Sequence, residues 1–294
     1  MKNYKGRISK LYWSFLDATY RWWPDSMWLK TVYKAKLGRK LDLKNPKAYT
    51  EKLQWLKIHD HNPLYTTLVD KYAVKDYVSQ KIGKQYVFPC YGVWNSFDEI
   101  DFSKLPNKFV LKCTHDSGGI VICKDLQTFD KDAARKVIEK ALKLDFWEWS
   151  REWAYKDVPH RVLAEEYMVD ESGEELKDYK IFCFNGEPRF IEVDFDRYVD
   201  HHRNIYDLNW NLLDCEIRYK SDRNRVIPCP QNLNEMLGIA RTLSAGFPHV
   251  RIDLYNISGR AYFGEFTFYH EGGWGQFSPS KWDYVFGDCM KLPV

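Results

Sequence analysis

An α/β (α+β) fold is predicted for this chain on three observations. Two runs rich in β-branched and aromatic residues, Val250 to Tyr255 and Arg260 to Phe268, flank the turn-forming Asn256-Ile-Ser-Gly259 and read as a hairpin. Phe109-Val-Leu-Lys-Cys-Thr114 reads as a buried strand that enters a glycine-containing loop and returns as Ile120-Val-Ile-Cys123. Helical patterns lie around them, one rich in Ala, Lys and Glu from Asp130 to Leu144 and a long one from Asn232 to Ala245.

The elements follow in order. Ile8, Leu11, Tyr12 and Phe15 have helical spacing, and after Arg21-Trp-Trp-Pro24 a second helical pattern ends at Gly38. This stretch is basic on its polar side, which suits either an interfacial helix on anionic lipid or, more ordinarily, a helical extension packed on the main body. Asn45-Pro46 closes it, and Thr50 is the expected cap of a helix through Glu51, Leu53, Trp55, Leu56 and Ile58. Asp70 starts a further helix that Gly83 closes. Tyr86 to Val93 reads as a short strand, irregular or at an edge because of Pro89. Arg161 to Tyr167 reads as a strand, and Asp178 to Phe184 with Arg189 to Val193 as a hairpin about Asn185-Gly186. Neither a repeat nor a low-complexity linker interrupts the chain.

At 294 residues and 45% hydrophobic, the chain can bury one to three lobes. Its 44 Lys and Arg nearly balance 41 Asp and Glu, so no whole-molecule field marks a nucleic-acid binder, and none is expected as a partner. Seven scattered cysteines without a Cys-x-x-Cys pair suggest neither a disulfide framework nor zinc, and favour a reducing cytoplasm. No apolar run approaches the ~20 residues that span a bilayer, and the first twenty residues lack the smooth apolar core of a signal peptide. The 12 Trp and 20 Tyr are expected mostly in the core.

Chemistry concentrates in the late hairpin. Folding back at Asn256 to Gly259 brings Asp253 and Glu265 together, and Thr267 shares a strand face with Glu265. Two facing carboxylates with a polar neighbour suit magnesium held against a nucleotide, although an acidic hairpin is often only a solvated face. Lys112 sits in an otherwise apolar strand, where a charge needs a partner, and phosphate would serve. The loop His115-Asp-Ser-Gly-Gly119 that follows can bring backbone amides near phosphate oxygens, or be an ordinary turn.

This order of features, with Ala164-Glu-Glu-Tyr-Met168 between the lysine strand and the acids, resembles the ATP-grasp superfamily. Arg251-Ile-Asp253 and Glu265-Phe-Thr267 are similar to the D-alanine:D-alanine ligase pattern, with Thr267 in place of its Asn. Asn45-Pro46, Glu51-Lys-Leu-Gln-Trp55, Val69-Asp-Lys-Tyr-Ala73, Phe109 to Gly119, Asp178-Tyr-Lys180 and Phe182-Cys-Phe-Asn-Gly186 resemble the TupA-like branch, found with teichuronopeptide and surface-polysaccharide genes.

The resemblance implies an N-terminal helical extension (1–44), an N-terminal ATP-grasp lobe (45–105), a mobile lid with the glycine loop (106–164) and a C-terminal lobe (165–294) whose mixed sheet carries the metal acids. It implies ATP and Mg2+ as cofactors. Lys112, His115, Asp116, Ser117, Gly118 and Gly119 would hold phosphates, with Lys71 a second cation. Glu165, Glu166, Tyr167 and Met168 would form the hinge at adenine, and Asp178 would meet the ribose. Lys180 and Arg203 would approach the transferred phosphate or an acidic acceptor, Asp253, Glu265 and Thr267 would bind magnesium, and Arg251 would steady a developing oxyanion.

The implied reaction is carboxylate activation as an acyl phosphate, then attack by an amine. A carboxylate on a small molecule or glycan, such as a uronic acid, would be the acceptor and an amino acid or amine the donor. The implied setting is the cytoplasm or the inner face of the membrane, beside polysaccharide assembly machinery. Three alternatives stand beside it: a glycosyltransferase using Asp194-Phe-Asp196, a kinase acting on a glycan hydroxyl, and a non-catalytic glycan-binding scaffold.

Overall fold

In chain order, the computed structural model, which describes residues 7–116, 118–169, 176–195 and 200–293, forms α1 (Arg7–Thr19), α2 (Asp25–Leu37), α3 (Tyr49–His59), α4 (Leu64–Val69), α5 (Val74–Ile82), β1 (Cys90–Trp94), β2 (Phe109–Cys113), β3 (Ile120–Cys123), α6 (Lys131–Leu142), α7 (Phe146–Ser150) and β4 (Val162–Glu166). There follow β5 (Asp178–Phe184), β6 (Glu187–Phe195), β7 (His202–Tyr206), β8 (Glu216–Ile217), α8 (Leu233–Ser244), β9 (His249–Ile257), β10 (Arg260–Thr267), β11 (Phe277–Ser278) and α9 (Lys281–Cys289). Among the described residues, no helix is long and apolar enough to cross a membrane.

Two sheets organise the molecule. The larger has the strand order β10-β9-β5-β6-β7, the smaller β1-β4-β2-β3, and β8 pairs with β11. Every pairing in both large sheets is antiparallel, where a mixed C-terminal sheet was expected. The reason is local: tight turns at Asn185-Gly186 and Ser258-Gly259, both in the left-handed region, join β5 to β6 and β9 to β10. Tight turns join antiparallel neighbours, whereas parallel pairing needs long crossovers.

Strand alternation separates the faces of the larger sheet. Ile181, Ile191, Val193, Ile252 and Leu254 are buried together with Met236, Ala240 and Leu243 of α8. On the opposite side, the register sets Glu265 against Asp253, Asp253 against Lys180 and Lys180 against Glu192. A row of charges therefore crosses four strands.

The smaller sheet repeats this division. Phe109, Leu111 and Cys113 of β2 pack with Ala134, Ile138 and Ala141 of α6, while Val110 and Lys112 point the other way into a cleft between the sheets. Cys90–Trp94 belongs to this sheet by pairing with β4, although it precedes residue 106.

Helix starts differ in detail from expectation. Thr50 lies inside α3, and the Glu51 carboxylate reaches back to the amides that precede the helix, accepting from Lys47 N and Ala48 N at 3.0 and 3.1 Å. Thr50 instead binds Asp283 of α9 through backbone and hydroxyl, at 2.9 and 2.8 Å. Asp70 ends α4 and caps the turn before α5 by accepting from Tyr72 N at 2.8 Å. The N-terminal helices pack on the body: Trp28, Leu29, Val32 and Tyr33 are buried in a cluster that includes Trp149 and Trp274.

Candidate active site

Between the two sheets lies a cleft of about 640 Å³, within the usual range for small-molecule sites. One end is apolar: Val87, Phe88, Val110, Ile122, Tyr255 and Phe263 line it, with Glu166, Tyr167 and Met168 at its edge. Ile120 and Ile122 are 45% and 41% exposed because they face this space. A flat aromatic base fits such walls. The other end holds Lys71, Lys75, Lys112, Lys180, Arg203 and Arg251, with Asp253, Glu265 and Glu271.

Glu165 ties the lysines of the upper wall together. Its carboxylate meets Lys75 at 2.5 Å and Lys112 at 2.6 Å. Burial opposes its ionisation, but the two lysines outweigh burial and hold the carboxyl down at about 2. Glu165 opens the stretch expected as the adenine hinge, where Glu166 and the Met168 backbone are the residues expected at the base edge, and its own carboxylate aims two cations. Lys75 was missed, although its spacing in Lys71-Tyr-Ala-Val-Lys75 puts it one helical turn from Lys71. Lys71 itself donates to the Asp116 carbonyl, and burial lowers its pKa.

The glycine loop divides. Asp116 is buried and accepts from Gly119 N at 2.9 and 3.1 Å, closing the loop on itself. His115 turns away from the cleft: it is buried beneath α6 with Nε2 3.1 Å from the Ala141 carbonyl, and stacks on His160 at 3.7 Å between ring centroids. Its expected phosphate contact is corrected by its position: beyond the end of β2, His115 turns to the side where Cys113 packs against α6. Gly119 is required by packing, since a Cβ there would come within 2.7 Å of Ala141 and Cys113. Gly118 has room for a Cβ, with only Asp116 near at 3.8 Å. Ser117 lies outside the described residues.

On the floor, Arg251 donates to both oxygens of Asp253 at 2.7 Å, to Glu265 at 3.3 Å and to Thr267 at 3.0 Å. Thr267 also donates to Glu265 at 3.0 Å, so its hydroxyl orients the acid it was expected to assist as a ligand. The ladder is irregular between Phe263 and Glu265, and a Cβ at Gly264 would sit 3.0 Å from the Asp253 carbonyl. Burial raises the pKa of Asp253, against the pull of Arg251 and Lys180. Glu265 is also opposed by burial, yet Arg251, Lys71 and Lys180 bring its pKa below the ordinary value.

These acids fit a magnesium–nucleotide. They present hard oxygens on directly paired positions, and Arg251 already supplies positive charge between them. Among the described residues, no three His, Cys, Asp or Glu converge as a metal cage. Magnesium bound with phosphates needs only one or two protein carboxylates.

Lys180 lies 2.6 Å from Asp178 and 3.4 Å from Asp253, so the acid expected at the ribose is joined to an acid expected at magnesium through one ammonium. Arg203 meets Asp194 at 2.7 Å, Glu192 at 3.1 Å and Glu271 at 3.0 Å. Asp194, half of the Asp-x-Asp motif, is thus engaged by an arginine, and Asp196 lies outside the described residues. Arg218 and Glu271 were also missed. Glu271 receives Arg203 and Arg218 together, and Arg218 and Glu271 both hold left-handed backbones, at φ 64° and 51°. Only Glu271-Gly-Gly273 hinted at such a turn.

Three solved structures show what the chain is similar to. The D-alanine–D-alanine ligase of Bacillus anthracis complexed with ATP is 17% identical over 69% of this chain and 55% of its own, with a TM-score of 0.39. The Helicobacter pylori D-alanine–D-alanine ligase is 16% identical, covering 83% and 69%, TM-score 0.41. A RimK domain ATP-grasp protein of Sphaerobacter thermophilus is 11% identical, covering 77% and 69%, TM-score 0.41. The chain thus spans little more than half the length of the first of these, and scores at this level bear on neither reaction nor substrate. No curated relative matches the chain. The TupA-like ATP-grasp profile, however, matches residues 51–291, the span that builds both sheets and every wall of the cleft, and the chain belongs to the TupA-like ATP-grasp family.

Proposed function

We propose that this protein is an ATP-dependent carboxylate–amine ligase that works through an acyl phosphate, joining an amino acid or amine to a carboxylate of a surface polysaccharide, with a uronic acid the favoured acceptor. The observation that carries the reading is the polarity of the cleft. An apolar slot at one end leads past three lysines and two paired acids to Arg203, which holds a carboxylate, that of Glu271, while Arg218 grips the same carboxylate from outside the cleft lining. A place built to hold a carboxylate beside the phosphate end supports an acid acceptor over the hydroxyl that a kinase would need.

Lys71, Lys75 and Lys112 neutralise and orient the phosphates, and Asp253 and Glu265 would hold magnesium, which lowers the negative charge opposing attack. Arg203 positions the acceptor, and Arg218 steadies Glu271 beside it. The acceptor's carboxylate oxygen attacks the γ-phosphorus as the bond to ADP breaks. The amine then attacks the acyl carbon, phosphate leaves, and the amine loses a proton. Catalysis on this scheme is positioning and charge compensation. The setting proposed is the cytoplasm, in keeping with seven free cysteines.

Mass spectrometry of the product tests the reading. Loss of water between acid and amine, with ADP and phosphate released and a hydroxamate trapped by hydroxylamine, is the expected result. A phosphate added to a sugar hydroxyl would overturn the ligase and leave the nucleotide site.

A further inference from the structure

The two N-terminal helices present unlike faces. Their acids and several of their cations turn toward the body. Asp25 pairs with Arg151 at 2.8 Å, Asp17 accepts from Trp149 Nε1 at 3.1 Å, Arg21 meets Glu148 at 2.7 Å, and the Lys36 ammonium lies 4.8 Å from the Trp149 ring centre. Lys30, Lys34 and Lys40 instead point outward, exposed and without an ion pair among the described residues.

Apolar groups accompany these lysines. Tyr12 lines a shallow groove with Lys30, Lys34 and Lys40. Phe15 stands one turn along from Tyr12 and Met27 one turn before Lys30, which extends the strip along both helices. Tyr12, Phe15 and Met27 are 41%, 56% and 54% exposed, and Trp22 between the helices is 81% exposed. Residues 1–40 hold ten Lys and Arg against two Asp, a formal excess of eight positive charges, whereas the whole chain carries +3. Everything after residue 40 is therefore net negative, by five charges.

We propose that this face of α1 and α2 docks on an anionic bilayer surface, with the lysines at headgroup phosphates and Phe15, Trp22 and Met27 in the headgroup boundary. Charge selects the partner: a negative surface attracts the extension and repels the remainder, which orients the molecule as well as binding it. The exposed apolar groups separate a bilayer from a soluble polyanion. A polyanion would be satisfied by the lysines alone and would gain nothing from Phe15 or Met27, whereas the interfacial region accepts both kinds of group.

The full chain is tested by co-sedimentation with phosphatidylcholine vesicles, with and without about 30% phosphatidylglycerol. Binding is expected only with the anionic lipid, and to fall as salt rises. Lys30→Glu with Lys34→Glu should weaken it by at least about tenfold, since each lysine near the surface contributes to attraction. Phe15→Ala with Trp22→Ala should weaken it severalfold at constant salt, with unchanged thermal melting and ATP turnover. Absence of binding to anionic vesicles overturns the proposal. So does binding that the aromatic variants leave intact, or a preference for a soluble anionic polysaccharide over vesicles, each of which would mark a polyanion site.

Discussion

Lys112 and Glu165 face each other at 2.6 Å across the upper wall of the cleft, and Lys75 closes on the same carboxylate from α5. The strand lysine therefore has a partner in the protein itself, and its ammonium is aimed before nucleotide arrives. Removing it in Lys112→Ala is expected to weaken ATP binding by about 1.5 to 3 kcal/mol, the range of a charge-assisted hydrogen bond. Isothermal titration of the folded variant checks this, and unchanged affinity would place Lys112 outside the nucleotide's reach.

The same carboxylate predicts an acid response. Folding moves Glu165 from an ordinary 4.5 down to about 2. Its contribution to stability is therefore complete above about pH 4.5 and is lost as pH falls toward 2, on the order of 3 kcal/mol in all. Replacing it in Glu165→Gln should flatten the acid limb of a stability-versus-pH curve measured with denaturant. A variant as acid-sensitive as the parent would show that the two lysines do not hold Glu165 ionised.

Glu265→Gln is the cleaner probe of the metal acids. Its side chain retains 46% of its accessible surface, whereas that of Asp253 retains 4% and is gripped by Arg251. Glu265→Gln should lower the melting temperature only slightly, since it gives up a half-exposed ion pair with Arg251, and should lose ADP formation, because it removes one of two charges for magnesium. Asp253→Asn should lose ADP formation and stability together, since it weakens a buried ion pair. Turnover of Glu265→Gln at near the parental rate would remove it from the metal site.

Arg218 separates acceptor from nucleotide. It touches Glu271 but is not part of the cleft lining, so Arg218→Ala acts through Glu271 and Arg203 and should raise the acceptor KM severalfold, with the ATP KM unchanged. Equal effects on both constants would argue for general distortion.

Truncation at residue 40 should spare ATP binding, because no proposed nucleotide contact lies in that segment. Packing adds a cost. Trp28 and Tyr33 are fully buried, and Arg39 binds both Thr50 and Asp283. Trp28→Ala should destabilise by about 3 to 5 kcal/mol, and full truncation by more, while any folded fraction keeps its ATP affinity. A truncated chain with parental stability would show that the helices dock only loosely.

The sequence by itself determined the elements whose causes are local. The turns at Asn185-Gly186 and Ser258-Gly259, the hairpin that the second closes, and the strand that carries Lys112 all rest on short-range backbone chemistry, whereas Asp253 meets Glu265 only through the one-residue shift at Gly264, since the turn alone sets Asp253 against Gly264. Tertiary structure decided what depends on distant partners. That the Glu165 carboxylate aims two lysines turned on Lys75, ninety residues earlier, and His115 left the phosphate loop because α6 lies over it. Glu271 reached Arg203 and Arg218 through strands and loops that only the assembled sheet brings together. Local rules set each residue's strand and face; which charge neutralises which depends on the low-dielectric contacts made when both sheets close on one cleft.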